Sequence, residues 1–260
     1  MDSGDPLRYS RQICLPEVGP EGQARLRKAK VLLAGLGGLG SPAALYLSAA
    51  GIGHLTLVDP DRVDESNLQR QVLYGTPDHG VLKTERARSR LQELNPFVNF
   101  TALATRVAAE NASELLSGHD VVIDATDCFV SKALLNDTCA QLGIPLVHGS
   151  ISGFEGRVTV FAPPAGPCYR CLYPEAARAE VANAASSGVV GALAGITGSM
   201  QAIETIKLIV DSPLLDPLIG RLWVYDSARA RTSEFMIPKR SGCEGCKSFV
   251  PRQVIPLGQP

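Results

Sequence analysis

The sequence predicts an α/β protein whose mostly parallel sheet is extended by antiparallel strands. Three observations predict it. A glycine-rich turn, Gly35-Leu-Gly-Gly-Leu-Gly40, separates an apolar strand at 31–34 from a helix of small residues at 41–50. Strands and helices then alternate to about residue 150, the rhythm of parallel strands joined by right-handed crossovers. Beyond that point come short stretches that read as antiparallel strands, at 156–161, 222–225 and 234–237.

In chain order, Glu21–Lys28 has the pattern of a short helix ahead of the first strand. Gly35, Gly37 and Gly40 then fit G-x-G-x-x-G. One glycine allows the tight turn, one lets the backbone approach a phosphate, and one lets the helix pack on its strand. The free N–H groups at the start of that helix favour an anion. A strand at His54–Asp59 ends in an acid, the position that binds a ribose hydroxyl in a Rossmann-like sheet. Pro60–His79 is a long polar loop holding Asp61, Asp64, Asn67, Gln69, Arg70 and Gln71, and long loops after sheet strands often carry function. Helical spacing follows over Val81–Leu94, a strand near Asn99–Leu103 and a short helix near Ala109–Leu116. Asp120–Asp124 reads as a buried strand that runs into Ala125-Thr126-Asp127, at the edge where open α/β sheets hold ligands. A helix at Ser131–Leu142 and a strand at Pro145–Gly149 complete a nucleotide-binding half of about 28–150. In the second half, about 151–250, an Ala- and Ser-rich loop at Glu175–Gly188 precedes a long helix at Gly191–Val210. No repeat or long linker divides the chain, so a single domain over 1–260 is expected.

Composition narrows the partners. A net charge of −1 gives no electrostatic case for nucleic acid or an anionic membrane. The first residues show no secretory signal, and the most apolar run, Val189–Val210, is broken by Gln201, Glu204 and Lys207, so a soluble cytoplasmic protein is expected. Of the seven cysteines, Cys14, Cys128 and Cys139 stand alone, while Cys168/Cys171 and Cys243/Cys246 form two C-x-x-C knuckles. Four thiolates match tetrahedral structural zinc, here joining distant segments; a redox pair or a metal-free site are the alternatives left by spacing alone. His54, His79, His119 and His148 have no partners in sequence and are assigned no chemistry.

The glycine loop and Asp59 suit either a dehydrogenase or an ATP-using enzyme. The residues that follow distinguish the two. Phosphoryl or nucleotidyl transfer needs preorganised cations around the phosphorus oxygens, and hydride transfer does not. Arg70 and Lys83 lie where they can reach back to the glycine loop, and Asp127 suits a Mg2+ contact.

These residues carry a family resemblance. Arg8-Tyr-Ser-Arg-Gln12, the glycine loop, Asp59, Ser66-Asn-Leu-Gln-Arg-Gln71, Lys83, Asp124-Ala-Thr-Asp127, Gly156-Arg-Val-Thr-Val160 and the two cysteine knuckles occur in that order. Together they closely resemble the MoeB/ThiF adenylyltransferases, bacterial relatives of the ubiquitin-activating enzyme. The resemblance implies a homodimer that binds Mg-ATP and adenylates the C-terminal Gly-Gly carboxylate of a ubiquitin-like sulfur carrier, releasing pyrophosphate. Molybdopterin, thiamine and tRNA-thiolation pathways use such carriers. Carried over by motif, Gly38 lies in the phosphate loop, Asp59 holds the ribose, and Asn67, Arg70 and Lys83 contact the phosphates. Asp127 positions Mg2+, and Arg11 enters the partner subunit's site. Ser66, Leu68, Gln69 and Cys128 are counted with the nucleotide site by position, although packing at a helix start is the plainer reading of Cys128. Where several relatives carry a cysteine in the 181–188 loop, this chain has Ala184, which leaves no thiol there for a sulfur-handling step. The other readings are activation of a tRNA or small-molecule carboxylate, an NAD-dependent oxidoreductase from another class, and a non-catalytic partner subunit, which the presence of every expected ATP residue disfavours.

Overall fold

A computed structural model describes residues 5–162, 164, 166–174, 188–247 and 249. Helices α1 (Asp5–Arg8), α2 (Ser10–Ile13) and α3 (Gly19–Lys28) lead into β1 (Lys30–Ala34), α4 (Gly40–Ala50) and β2 (His54–Val58). Then come α5 (Lys83–Leu94), β3 (Asn99–Leu103), α6 (Ala112–Leu116), β4 (Val121–Asp124), α7 (Phe129–Leu142) and β5 (Leu146–Ser152). The remainder is β6 (Glu155–Phe161), α8 (Tyr169–Leu172), α9 (Gly191–Val210), β7 (Arg221–Asp226), β8 (Arg231–Met236) and α10 (Glu244–Lys247).

The strands form one eight-stranded sheet in the order β3-β2-β1-β4-β5-β6-β7-β8. The first five are parallel and the last three antiparallel, so the expected mixed sheet is what forms. Parallel strands with helices on both faces must bury both sets of side chains, which is why Val31–Ala34 of β1 and Val121–Ile123 of β4 are unbroken apolar runs. Val31 and Leu33 face a core shared with Leu47 of α4, Leu91 of α5 and Ala202 of α9. Leu32 and Ala34 face a second core with Leu116 of α6 and Leu135 and Cys139 of α7. Truncating one of these, as in Leu33→Ala, removes a fully buried side chain and costs about 2–5 kcal/mol.

Several boundaries differ from the sequence expectation. The 60–79 loop contains two short 3-10 turns, Glu65–Asn67 and Thr76–Asp78, which close it into a compact shape. Strand β8 starts three residues earlier than expected, and all six of its residues are exposed, so no apolar alternation marks it. The loop expected at Glu175–Gly188, Ala184 included, lies outside the described residues except for Gly188. Among the described residues no helix is long and apolar enough to cross a membrane.

Candidate active site

Strand order reverses between β1 and β4: from β1 the chain moves outward to β2 and β3, then returns to β4 on the other side. Crossovers diverge there, leaving a crevice beyond the C-terminal strand ends. A cavity of about 830 Å³ fills it, large enough for a nucleotide and part of a second substrate.

Gly35, Gly37, Gly38, Asp59, Asn67 and Arg70 line this cavity, as do Gln69, Lys83, Asp127 and Cys128. The glycines divide by cause. Gly35 has φ +94°, and a Cβ there would lie 2.6 Å from the Ala125 carbonyl oxygen. A Cβ on Gly40 would lie 2.0 Å from the Gly35 carbonyl oxygen, so Gly40 lets α4 close on the turn without lining the cavity. Gly37 and Gly38 both line the cavity; a Cβ on Gly37 would meet only Gln71 Nε2 at 3.5 Å, whereas one on Gly38 would press on Ala194 Cβ at 3.2 Å and on the stem of Arg70.

Asp59, 5% exposed, accepts the Leu36 N–H at Oδ2 (2.7 Å) and the Asp61 N–H at Oδ1 (2.8 Å). Burial pushes its carboxyl above the usual carboxylate range, against the pull of Lys83 and these two donors. Its first task here is to hold the glycine turn, and each oxygen keeps a lone pair for a ribose hydroxyl. Lys83, the first residue of α5 and 4% exposed, pairs with the exposed Asp61 at 3.1 Å. Asn67 accepts from Gln71 Nε2 at its Oδ1 (2.6 Å), and Arg70 Nη1 donates to the Ser66 carbonyl (3.0 Å). Asp127 is exposed at the mouth.

Besides Gly40, three expected residues stand off the cavity wall. Ser66 turns to Asp64, which accepts its N–H at 2.9 Å, and Leu68 packs against the main core. Arg11, on α2, is exposed and does not line the cavity of its own chain.

The sequence missed the back wall. His148, assigned no chemistry, is buried in the middle of β5 with Nδ1 2.7 Å from Asp124 Oδ2. Burial, helped by the Lys132 charge, outweighs Asp124 and holds its imidazole below the ordinary range, so it faces the carboxylate as a neutral Nδ1–H donor. Lys132, buried on α7, donates to the same oxygen at 3.0 Å. Burial would raise Asp124, but Lys132 and His148 prevail and hold it well below the usual range. His54 and His119 also gain partners, Thr101 (3.0 Å) and Thr56 (2.8 Å). Tyr169, Tyr173 and Arg157 complete this wall. The Tyr169 ring meets His148 edge-on at 5.2 Å, and its buried hydroxyl has no hydrogen-bond partner among the described residues. Thr126 and Arg157 lay inside motifs, whereas Lys132 and His148 carried no local signal.

Behind the wall, the sulfurs of Cys168, Cys171, Cys243 and Cys246 lie within 4.8 Å of one another. Cys168 and Cys243 are 3.6 Å apart, and Cys171 and Cys246 3.5 Å. Sulfurs about 2.3 Å from a tetrahedral zinc would be about 3.8 Å apart, so this donor set fits that metal. The cluster joins α8 to α10, and α8 also carries Tyr169.

Fold and site together define a class: a nucleotide-binding α/β protein whose cavity brings cations and an exposed carboxylate to a glycine turn. Within that class the chain belongs to the ThiF family, whose sequence profile matches residues 9–245. It is 49% identical over 228 residues to the SAMP-activating enzyme E1 of Haloferax volcanii, covering 87% of this chain and 83% of that protein. It is 44% identical over 245 residues to the sulfur carrier protein adenylyltransferase of Thermus thermophilus, covering 92% and 90%. Against the adenylyltransferase and sulfurtransferase MOCS3 of Drosophila willistoni, at 44% identity, it covers 95% of itself but 55% of the relative. Escherichia coli MccB with ATP shares the fold at a TM-score of 0.78 and 22% identity, covering 92% of this chain and 74% of that one.

Proposed function

We propose that this protein uses ATP to adenylate the C-terminal carboxylate of a ubiquitin-like sulfur carrier. The observation that carries the reading is the convergence of the glycine turn, Arg70, Lys83 and Asp127 on one cavity, in a chain nearly coextensive with a sulfur carrier protein adenylyltransferase. A carboxylate oxygen of the carrier attacks the α-phosphorus, and the bond to the bridging oxygen breaks, releasing pyrophosphate. No side-chain nucleophile is needed, so catalysis comes from alignment and charge stabilisation. The bare backbone at Gly37 and Gly38 admits the phosphates, and Asp59 takes the ribose. Arg70 and Lys83 offset charge building on the oxygens; for this Lys83 turns from Asp61, whose exposure makes the exchange cheap. Asp127 holds Mg2+, which supplies further positive charge to the phosphates when bound.

The four cysteines hold zinc in this reading, a use of thiolates that suits a reducing cytoplasm. A homodimer is supported by exposed apolar residues on α4 and α9, Tyr46 and Ile203, around a cleft that Gln12 also lines. Arg11 stands beside Gln12, where it reaches the partner's cavity. The carrier docks on the second half, where Phe154 is exposed in the turn between β5 and β6 and Phe235 and Met236 are exposed on β8. ATP–pyrophosphate exchange with a panel of carriers ending in Gly-Gly tests the reading. Exchange with one carrier identifies the substrate. Silence with all of them refutes the sulfur-carrier reading and moves it to a small-molecule or tRNA carboxylate.

A further inference from the structure

Asp124 ends β4 without solvent exposure, three residues ahead of Asp127. Its two oxygens face different tasks. Oδ1 accepts the Thr126 N–H (3.1 Å) and the Thr126 hydroxyl (2.7 Å), which shapes the 124–127 turn. Oδ2 accepts from Lys132 Nζ (3.0 Å) and His148 Nδ1 (2.7 Å). Lys132 also donates to the Gly149 carbonyl (3.0 Å), and Gln201 of α9 donates to the Asp124 carbonyl (2.8 Å). The glycine turn abuts the other side, against the Ala125 carbonyl. Of these four turn residues only Asp127 is exposed.

We propose that Lys132 and His148 are positioning residues: through Asp124 they lock the turn that presents Asp127, so that its carboxylate is preorganised for a divalent cation. The proposal rests on the reading of Asp127 as the Mg2+ ligand. A fixed turn spends no ordering entropy when the cation arrives, and partners one step behind a ligand typically change metal affinity 10–100-fold. Stability alone does not account for the arrangement, because a buried charge network is often no better than apolar residues of the same volume.

The test compares His148→Leu, His148→Asn and Thr126→Val with wild type, and uses Asp127→Asn as control. Asparagine can place an amide N–H near the Nδ1 position, and leucine cannot; Thr126→Val leaves the buried charges intact. Amide hydrogen exchange at 125–127 is measured in the nucleotide-free protein. The Mg2+ requirement for ATP binding is measured by calorimetry, with no carrier present. His148→Leu and Thr126→Val are expected to exchange faster and to need about 10–100-fold more Mg2+. His148→Asn should stay close to wild type in both. Unchanged exchange or an unchanged Mg2+ requirement in both His148→Leu and Thr126→Val, with Asp127→Asn impaired, overturns the positioning role alone. An Asp127→Asn protein with the wild-type requirement overturns the metal-ligand reading, and the proposal with it.

Discussion

Replacing Lys132 with methionine keeps the apolar stem and removes the ammonium. The lost group donates at 3.0 Å both to Asp124 Oδ2 and to the Gly149 carbonyl, and its partner carboxylate has no solvent exposure. Breaking a buried pair from one side leaves an uncompensated charge and costs about 3–5 kcal/mol. The loss should depend on pH, because His148 sits 2.7 Å from the same oxygen and can supply a substitute charge. In the wild-type protein burial and Lys132 keep that imidazole neutral, with Arg157 acting in the same direction and Asp124 opposing. Without Lys132, the pull of Asp124 raises the folded-state pKa of His148. In the wild type the lowered folded value means that stability falls away as pH drops below the unfolded value of about 6.5, and the variant, in which one cause of that lowering is gone, loses less on the same descent. Lys132→Met should therefore lose about 3–5 kcal/mol at pH 8 and clearly less at pH 6. Urea unfolding followed by Trp223, the single tryptophan, reads both values. A loss under about 1 kcal/mol, or one equal at the two pH values, refutes Lys132 as the counter-ion of Asp124.

Gly40→Ala drives a Cβ to 2.0 Å from the Gly35 carbonyl oxygen, so it should cost about 1–3 kcal/mol and weaken ATP binding by calorimetry. Gly37→Ala, whose Cβ would meet only Gln71 Nε2 at 3.5 Å, should leave stability within about 0.5 kcal/mol while still weakening ATP binding. Freshly purified reduced protein should carry stoichiometric zinc, and its removal by a chelator should lower the unfolding midpoint; metal analysis without zinc overturns that assignment. Arg11→Ala and Arg70→Ala should each abolish pyrophosphate exchange, whereas mixing the two inactive proteins under subunit exchange should restore about a quarter of wild-type activity, since a mixed dimer keeps one intact site. No recovery would place Arg11 in its own subunit's chemistry or outside catalysis.

The strand and helix order was legible because it is written in local periodicity and in turn residues. β3 and α9 match their expected spans, and β1 and α4 differ by one residue at the start. The glycine turn, Asp59, Arg70, Lys83, Asp127 and the cysteine pairs were legible because fixed spacings mark them. Strand β8 was only partly legible: an edge strand with both faces exposed has no burial to impose an alternation. The split among the glycines became visible only in the tertiary structure. Gly35 and Gly40 relieve contacts with backbone that the rest of the chain places, Gly37 faces an opening, and a Cβ on Gly38 would press on Ala194. The back wall is the clearest case. Asp124, Lys132 and His148 come from β4, α7 and β5, and nothing around Lys132 or His148 in sequence distinguishes a buried counter-ion from a surface charge or a packed imidazole. A charge takes its meaning from the charge it faces and from the water it loses. Both are set by how the sheet brings β4 and β5 side by side, so the sequence located the mouth of the site and folding decided what stands behind it.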